Sequence, residues 1–398
     1  MWSDYSTGER LKILRGQSLT QEELAEASGL SVATIRKAER GIQIGLPSLL
    51  RICAALGTDV SVVLGQQEPR RAMQREDRAM LRALSRAVHD TMAGIDIDND
   101  PPPAPEVTAG LRTAWDRYRD GRFATAGAMV AVSLPQAAAV LRDRPTGEES
   151  PARVMMADAH RLAAYVANQF GARDLAYAAI GHAQAQAEQA GDPVRAAMVA
   201  SGRSWVYLRD ARLDQAAATA ATSYEMIEPS YREGDLQLLA TYGWHVTFAA
   251  VVAARRGNVA EADDLLSQGL AVATRMGRDV TVNGTAFGPS VVQAQAVGIH
   301  VSTGRPAQAL STYSRIEDQS ALHPAARNRL MLDVALAQCD LRQWDRSLDT
   351  LLQVCTAHPE WARQQALPDV IARRVGHTHP AASRFRKLAT ILGTAPHR

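Results

Sequence analysis

Between Gly121 and Ser347 one local arrangement recurs six times: a residue suited to a chain reversal is followed, five positions on, by a small side chain. The reversal residues are Gly121, Gly171, Ala211, Gly257, Gly304 and Arg342, and the small ones Ala126, Ala176, Ala216, Ala262, Ala309 and Ser347. Twelve residues before each small residue stands another short one, namely Ala114, Ala164, Ser204, Ala250, Val297 and Ala335. Successive reversals lie 38 to 50 residues apart. A turn flanked by short side chains at a fixed offset, repeated near every forty residues, predicts two helices per unit that touch through those side chains. Such units bury their faces only by stacking, which makes an α-solenoid. Aromatic residues are only 5% of the chain and β-branched runs are nearly absent, so the expected class is all-α.

The chain has 398 residues, 46% of them apolar, which suits two domains and a linker. A different pattern occupies the N-terminal part. In Leu19 to Gly41, Thr20 is placed to cap a helix with Glu23 closing a capping box, and Leu24, Ala25 and Ala27 form its buried stripe. Gly29 ends that helix and Ser31 caps the next. There Ile35 and Ala38 face inward, Gly41 closes the helix, and Val32, Ala33, Arg36, Lys37 and Arg40 remain outside. Before this pair a helix is expected with Thr7 as its cap, running through Leu11 and Leu14 to Arg15. After it, Pro47 opens a helix that ends at Gly57, and Asp59 caps a last turn from Val60 to Leu64.

The run Gln-x-x-Leu-Ala-x-x-x-Gly-Leu-Ser-x-x-Thr-Ile-x-x-x-Glu-x-Gly, from Gln21 to Gly41, resembles the Xre or lambda-repressor-like helix-turn-helix family, over roughly residues 8 to 65. The resemblance implies a five-helix, lambda-repressor-like DNA-binding domain whose second helix of the pair lies in the major groove of a double-stranded DNA operator. Carried onto this sequence, it places Val32, Ala33, Lys37 and Arg36 toward bases and gives Gln21, Ser31 and Arg40 to phosphates, with Glu39 as an anchor inside the domain. Val32 and Ala33 suit contact with a thymine methyl. The net charge of the chain is only +2, so DNA contact must be local. Within the domain Arg10, Lys12, Arg15, Arg36, Lys37, Arg40 and Arg51 are nearly balanced by acids. That balance implies two domains on one operator, hence a homodimer.

The domains expected are 1–66 for DNA binding, 67–107 as linker, and 108–398 as the repeat domain with capping helices from Pro359 to Val375 and Pro380 to Leu392. Residues 68–92 read as a charged helix with Met73, Met80, Leu81, Leu84, Val88 and Met92 at helical spacing. Two readings stand for it: a linker helix packed on the next domain, or a dimerisation helix. An acidic run and Pro101, Pro102, Pro103 and Pro105 then read as a semi-rigid linker; the Asp spacing there lacks the Gly and terminal Glu of a calcium loop.

The repeat offsets resemble the tetratricopeptide repeat, most clearly at Gly257 to Ala262 and Gly304 to Ala309, in six degenerate units over roughly 108 to 358 with an insert at Leu134 to Ser150. In repeats of that type the residue after the small packing position of the first helix points to the concave face. Here that set is Trp115, Tyr165, Trp205, Val251, Gly298 and Leu336, with Tyr118, Asn168 and Leu208 one turn on, Trp244 and Thr247 continuing the surface, and Arg161 and Asp158 adding charge. As a groove, Trp115, Tyr118, Arg161, Tyr165, Asn168, Trp205 and Trp244 suit a peptide or small-molecule effector; as packing, the rings are core between repeats. Phe287-Gly288-Pro289 reads as a turn. The domain order is similar to the peptide-pheromone-responsive quorum-sensing regulators of Gram-positive bacteria and to actinobacterial Xre regulators with degenerate repeats.

Cys53, Cys339 and Cys355 have no metal-type spacing and read as reduced, buried thiols. No secretory leader and no uninterrupted apolar span is expected, so the location expected is cytoplasmic, without membrane contact. His377-Thr378-His379 beside Pro380 reads as a loop. No Gly-x-Ser-x-Gly elbow, phosphate-binding Gly-rich loop with Lys or His-Glu-x-x-His helix occurs, so neither enzyme chemistry nor a cofactor is expected. The sequence reads as a dimeric transcriptional regulator with a sensing repeat domain, or alternatively as an interaction adaptor or antitoxin-like component with autoregulatory DNA binding.

Overall fold

In a computed structural model, the residues described are 5–16, 19–42, 44–56, 63, 75–95, 100, 102–282, 284–316, 318–376 and 382–392. The chain divides into two units, Met1–Arg78 and Ala79–Arg398. The first holds helices α1 (Thr7–Arg15), α2 (Gln21–Ser28), α3 (Val32–Glu39) and α4 (Leu46–Ala55). Capping boxes start α1 and α2. The cap of α1 is Ser6 rather than Thr7: its Oγ accepts from the Glu9 amide at 3.3 Å, and the Glu9 carboxylate accepts from the Ser6 amide at 2.8 Å. Thr20 and Glu23 do the same for α2, at 3.1 and 2.6 Å. Gly29 ends α2 with φ of 64°. Leu11, Leu24, Ile35, Ile52 and Val63 make a core with no more than 1% exposure. Ala27 is exposed and Ser28 buried instead, its hydroxyl donating to Leu24 O at 2.7 Å, because the α2 stripe continues four residues on from Leu24. The fifth helical turn expected at Val60 to Leu64 lies, apart from Val63, outside the described residues, as do Gly57, Asp59 and His377 to His379.

The second unit begins within α5 (Arg75–Ala93), whose Met80, Leu84, Ala87 and Val88 are buried. Met80 packs where a Cβ on Gly127 would stand 2.3 Å from its sulfur. The described part of the apolar face of this helix thus packs within the second unit. Six helix pairs follow: α6 (Ala104–Arg119) with α7 (Phe123–Arg142), α8 (Ser150–Gln169) with α9 (Arg173–Ala190), α10 (Pro193–Arg209) with α11 (Leu213–Glu225), α12 (Leu236–Arg255) with α13 (Val259–Met276), α14 (Pro289–Ser302) with α15 (Pro306–Tyr313), and α16 (Pro324–Asp340) with α17 (Trp344–Ala357). Short helices α18 (Pro359–Arg363), α19 (Leu367–Gly376) and α20 (Ala382–Leu392) close the chain. The repeat unit starts at Ala104, earlier than the expected 108, because Pro103 and Pro105 fix the first turn of α6 rather than a linker.

All six reversal residues take left-handed backbone, with φ of 81° at Gly121, 72° at Gly171, 57° at Ala211, 80° at Gly257, 72° at Gly304 and 59° at Arg342. Each folds the chain back within three residues. All twelve short residues flanking the turns are fully buried. In two pairs a serine spans the contact: Ser204 Oγ donates to Ala216 O, and Ser347 Oγ to Ala335 O, both at 2.7 Å. Each pair packs on the next, and α6 also meets α16, so the end of the array reaches its beginning. A Cβ on Gly121 would stand 2.6 Å from the Trp361 ring, so only glycine lets that indole lie there.

Three further findings depart from expectation. A hairpin of β1 (Val280–Val282) and β2 (Thr285–Phe287) joins α13 to α14, pairing Val280 with Phe287, Thr281 with Ala286 and Val282 with Thr285. Phe287 is thus a fully buried strand residue rather than part of a turn, seated where Gly243 carries no side chain. The insert at Leu134 to Ser150 is mostly a longer α7, continuing through Pro135 to Arg142. Finally, α7 and the span Leu236–Arg256 are long and apolar enough to cross a membrane by length and composition. Their windows are 50% and 61% buried among neighbouring helices, as alanine-rich inner helices of a stack would be.

The reversals give a paired test by chemical denaturation. Gly257→Ala meets no atom within 4 Å, so its cost is backbone strain alone, about 1 kcal/mol. Ala211→Gly relieves the same strain and should raise stability by up to about 1 kcal/mol.

Candidate DNA interface and aromatic row

The outer face of α3 rests on a carboxylate held inside the first unit. Glu39 is 4% exposed. Arg15 donates to both of its oxygens, from Nε at 2.6 Å and Nη2 at 3.3 Å, and Gln21 Nε2 donates at 2.7 Å. Arg15 also reaches Leu19 O at 2.8 Å, tying α1, the entry to α2, and α3 together. Burial pushes the Glu39 carboxyl up, but the hydrogen bonds from Arg15 and Gln21 outweigh it and hold its pKa below the usual carboxylate range. Behind this anchor, Gly8 lets α1 approach the end of α3: a Cβ there would lie 2.6 Å from Glu39 O and from the Gly41 amide.

Gln21, expected at a phosphate, has its amide engaged on both sides, since its Oε1 also accepts from Arg36 Nε at 3.2 Å. Arg36 in turn reaches Glu22 at 3.2 Å, with both groups more than half exposed. Ser31 caps α3: its Oγ accepts from the Thr34 amide at 3.2 Å and shares a hydrogen bond with Thr34 Oγ1 at 2.9 Å. Val32 is half-buried against the core, whereas Ala33, Lys37 and Arg40 are exposed. Lys37 and Arg40 have no carboxylate partner among the described residues. Arg10 belongs to the interior instead, 6% exposed with its guanidinium donating to Val63 O at 3.2 Å. The network linking Arg15, Gln21, Glu22, Glu39 and Arg36 is the part that sequence reading reached only at Glu39. Its bonded pairs stand 14 to 24 residues apart, and no local spacing marks them.

In the second unit the expected groove residues come together, but as a closed row. Trp115 and Tyr165 meet edge to face at 5.5 Å between ring centres, Tyr165 and Trp205 at 5.1 Å, and Tyr118 touches both Trp115 and Tyr165 at 5.8 and 5.9 Å. The guanidinium of Arg161 lies 4.4 Å from the centre of Trp115 and pairs with Asp158 at 3.3 Å. Asn168 is fully buried, its carbonyl oxygens taken by Arg173. Trp244 packs on the cores of two successive helix pairs. Tyr118 accepts from Gln169 at 3.3 Å, and burial pushes its phenol up. Arg209 stacks on Trp205 at 5.7 Å, and burial, followed by repulsion from Arg173, pushes it down to about 10. Between Arg161, Tyr165, Trp244, Val282 and Thr285 only about 10 Å³ remains, room for one water at most. The hairpin residues Val282 and Thr285 help to close it.

Residues 11–63 match the family model described as helix-turn-helix. Comparison with curated proteins gave no match. The N-terminal unit is a helix-turn-helix domain, of a family of DNA-binding regulators.

Because the Glu39 pKa is lowered in the folded state, its contribution is present above the unfolded carboxyl pKa and is lost as pH falls through the lowered value. The first unit should therefore lose stability in acid below about pH 4.5. Glu39→Gln removes the carboxylate charge that Arg15 pairs with and should cost about 3 kcal/mol, with a smaller further loss on acidification because the Glu9 and Glu23 cap carboxylates remain, read by circular dichroism melts of the domain transition.

Proposed function

We propose that this protein is a sequence-specific transcriptional regulator that binds a double-stranded operator as a homodimer. Its helical-repeat unit, tetratricopeptide-like in its pairing, senses a peptide or small-molecule effector or a protein partner. The observation that carries the DNA reading is the outer face of α3. There Lys37 and Arg40 stand free and Arg36 is aimed by Gln21 and Glu22, all on a helix fixed from behind by Glu39 and lying within the stretch that matches the helix-turn-helix family.

Dimerism is supported by arithmetic on the surface cations. With Arg10 buried and Arg15 spent on Glu39, the outward set within residues 8–65 is Lys12, Arg36, Lys37, Arg40 and Arg51. So few phosphate contacts give weak, salt-sensitive binding, and a two-fold pair doubles them. Ala33, exposed near the start of α3, fits against a thymine methyl, and Lys37 one turn on fits a guanine edge. Sensing is supported by the architecture of the second unit, six stacked pairs whose only strand insertion lies at the fourth junction among the described residues. An effector that shifts that stack relative to a partner copy would change the spacing of two recognition helices and hence operator affinity.

Selection of binding sites from random DNA followed by titration tests this reading. Enrichment of a two-fold-symmetric site is expected, and no enrichment over random sequence refutes it. Reversal of charge in Arg36→Glu with Lys37→Glu should abolish binding while leaving the melting of the second unit unchanged. Lys37→Ala alone should lower the slope of log affinity against log salt by about 1 per half-site if it meets a phosphate, and relax base preference if it meets a base.

A further inference from the structure

A cavity of about 420 Å³ opens between α13, α14 and α15, well away from the aromatic row and unused by any function described above. Its floor is apolar. Leu266 and Ala296 are buried there, while Leu270, a large side chain, stays 38% exposed among the described residues.

The rim is cationic. Arg305 grips Asp263 with two hydrogen bonds, at 2.7 and 2.9 Å across 42 residues of sequence, and those two charges cancel. Arg315 is also on the rim, and its guanidinium reaches only Ser311 O at 3.3 Å and Thr312 Oγ1 at 3.4 Å, with no carboxylate among the described residues. His300 stands in the wall at 6% exposure, and its Nδ1 has no hydrogen-bond partner. Burial, then the charge of Arg305, keeps the His300 pKa below its ordinary value, so the ring is neutral at pH 7. Among the described residues the lining thus presents one unbalanced positive charge beside an apolar floor, in a volume within the range of small-molecule sites, roughly 300–1,000 Å³.

We infer that this cavity binds a small amphipathic organic anion, a monocarboxylate whose apolar body lies on Leu266, Leu270 and Ala296 and whose carboxylate meets Arg315. A dianion would bring a second negative charge toward Asp263 with no cation left to take it. A cation would face Arg315 directly, and a neutral guest would leave it unanswered.

The test is calorimetric titration of the full-length protein with octanoate, octanol and octylamine. Saturable one-to-one binding of octanoate is expected, with octanol and octylamine weaker by about tenfold or more, the worth of one charge-assisted hydrogen bond. Arg315→Gln should weaken octanoate by a similar factor, and Ser267→Trp, placed on the exposed wall, should fill the cavity and abolish binding. Absence of saturable octanoate binding, equal affinity for octanol, or undiminished affinity in Arg315→Gln each overturns the assignment. Arg315 is exposed and outside the core, so its variant decides even if the tryptophan variant misfolds. No DNA is present, so failure here leaves the operator-binding reading to its own test.

Discussion

The second unit depends on one contact made six times: two short side chains, twelve residues apart, closed on each other across a left-handed turn. A larger residue at any of the twelve would hold the paired helices apart, and each junction with the next pair would shift with it. Because the period is set by that contact and not by the outer residues, the rest of each helix is free to vary. Lengthening α7 to Arg142 and inserting a hairpin after α13 both leave the offset untouched. The two turns that lack glycine, at Ala211 and Arg342, keep the left-handed backbone regardless. The packing on either side therefore outweighs a strain of about 1 kcal/mol. In both of those pairs a serine hydroxyl bonds across the contact, at Ser204 and at Ser347, which adds a directional tie where the turn residue is least suited.

The first unit uses a different device for the same end. Its helices are only eight to ten residues long, too short to be stable alone. A buried carboxylate with three donors pins α1, α2 and α3 at one point. That anchor also decides which cations remain available. Arg15 is consumed by Glu39, Arg10 by the Val63 carbonyl, and Arg36 is steadied by Gln21 and Glu22, so the positive charge left outside is concentrated on the face of α3. Folding and the candidate DNA surface are thus linked through the same few side chains.

What was legible in the sequence follows from range. The reversal residues, the twelve short positions, the capping box at Thr20 and Glu23, and the inward Ile35 and Ala38 are signals within one helix or one turn, and the structure places each as expected. The cap of α1 stands one residue before the expected Thr7: Ser6 and Thr7 are chemically alike, and only the position of Glu9 three residues after Ser6 distinguishes them. The hairpin leaves no sequence signal because three residues per strand carry too little alternation, and Phe287 seats at Gly243, far from it in sequence. The pairing of Arg305 with Asp263 and the meeting of Gly121 with Trp361 likewise join residues that share no local pattern.

In the aromatic row the residues expected along a groove pack on one another. Trp115, Tyr118, Tyr165 and Trp205 lie on successive first helices and do face one another, which is what a peptide groove requires. In an array whose end returns to its start, however, the same residues converge until ring meets ring, and the space closes. Guanidiniums then take the place a guest would hold: Arg161 covers Trp115 and Arg209 covers Trp205. Their planar charge is weakly hydrated and stacks at modest cost, so arginine can be buried among rings where lysine would not be. Room for a ligand persists instead where α15 is short. Ending at Tyr313, five residues or more before its counterparts in the other pairs would, it leaves Leu270 exposed and Arg315 without a carboxylate among the described residues.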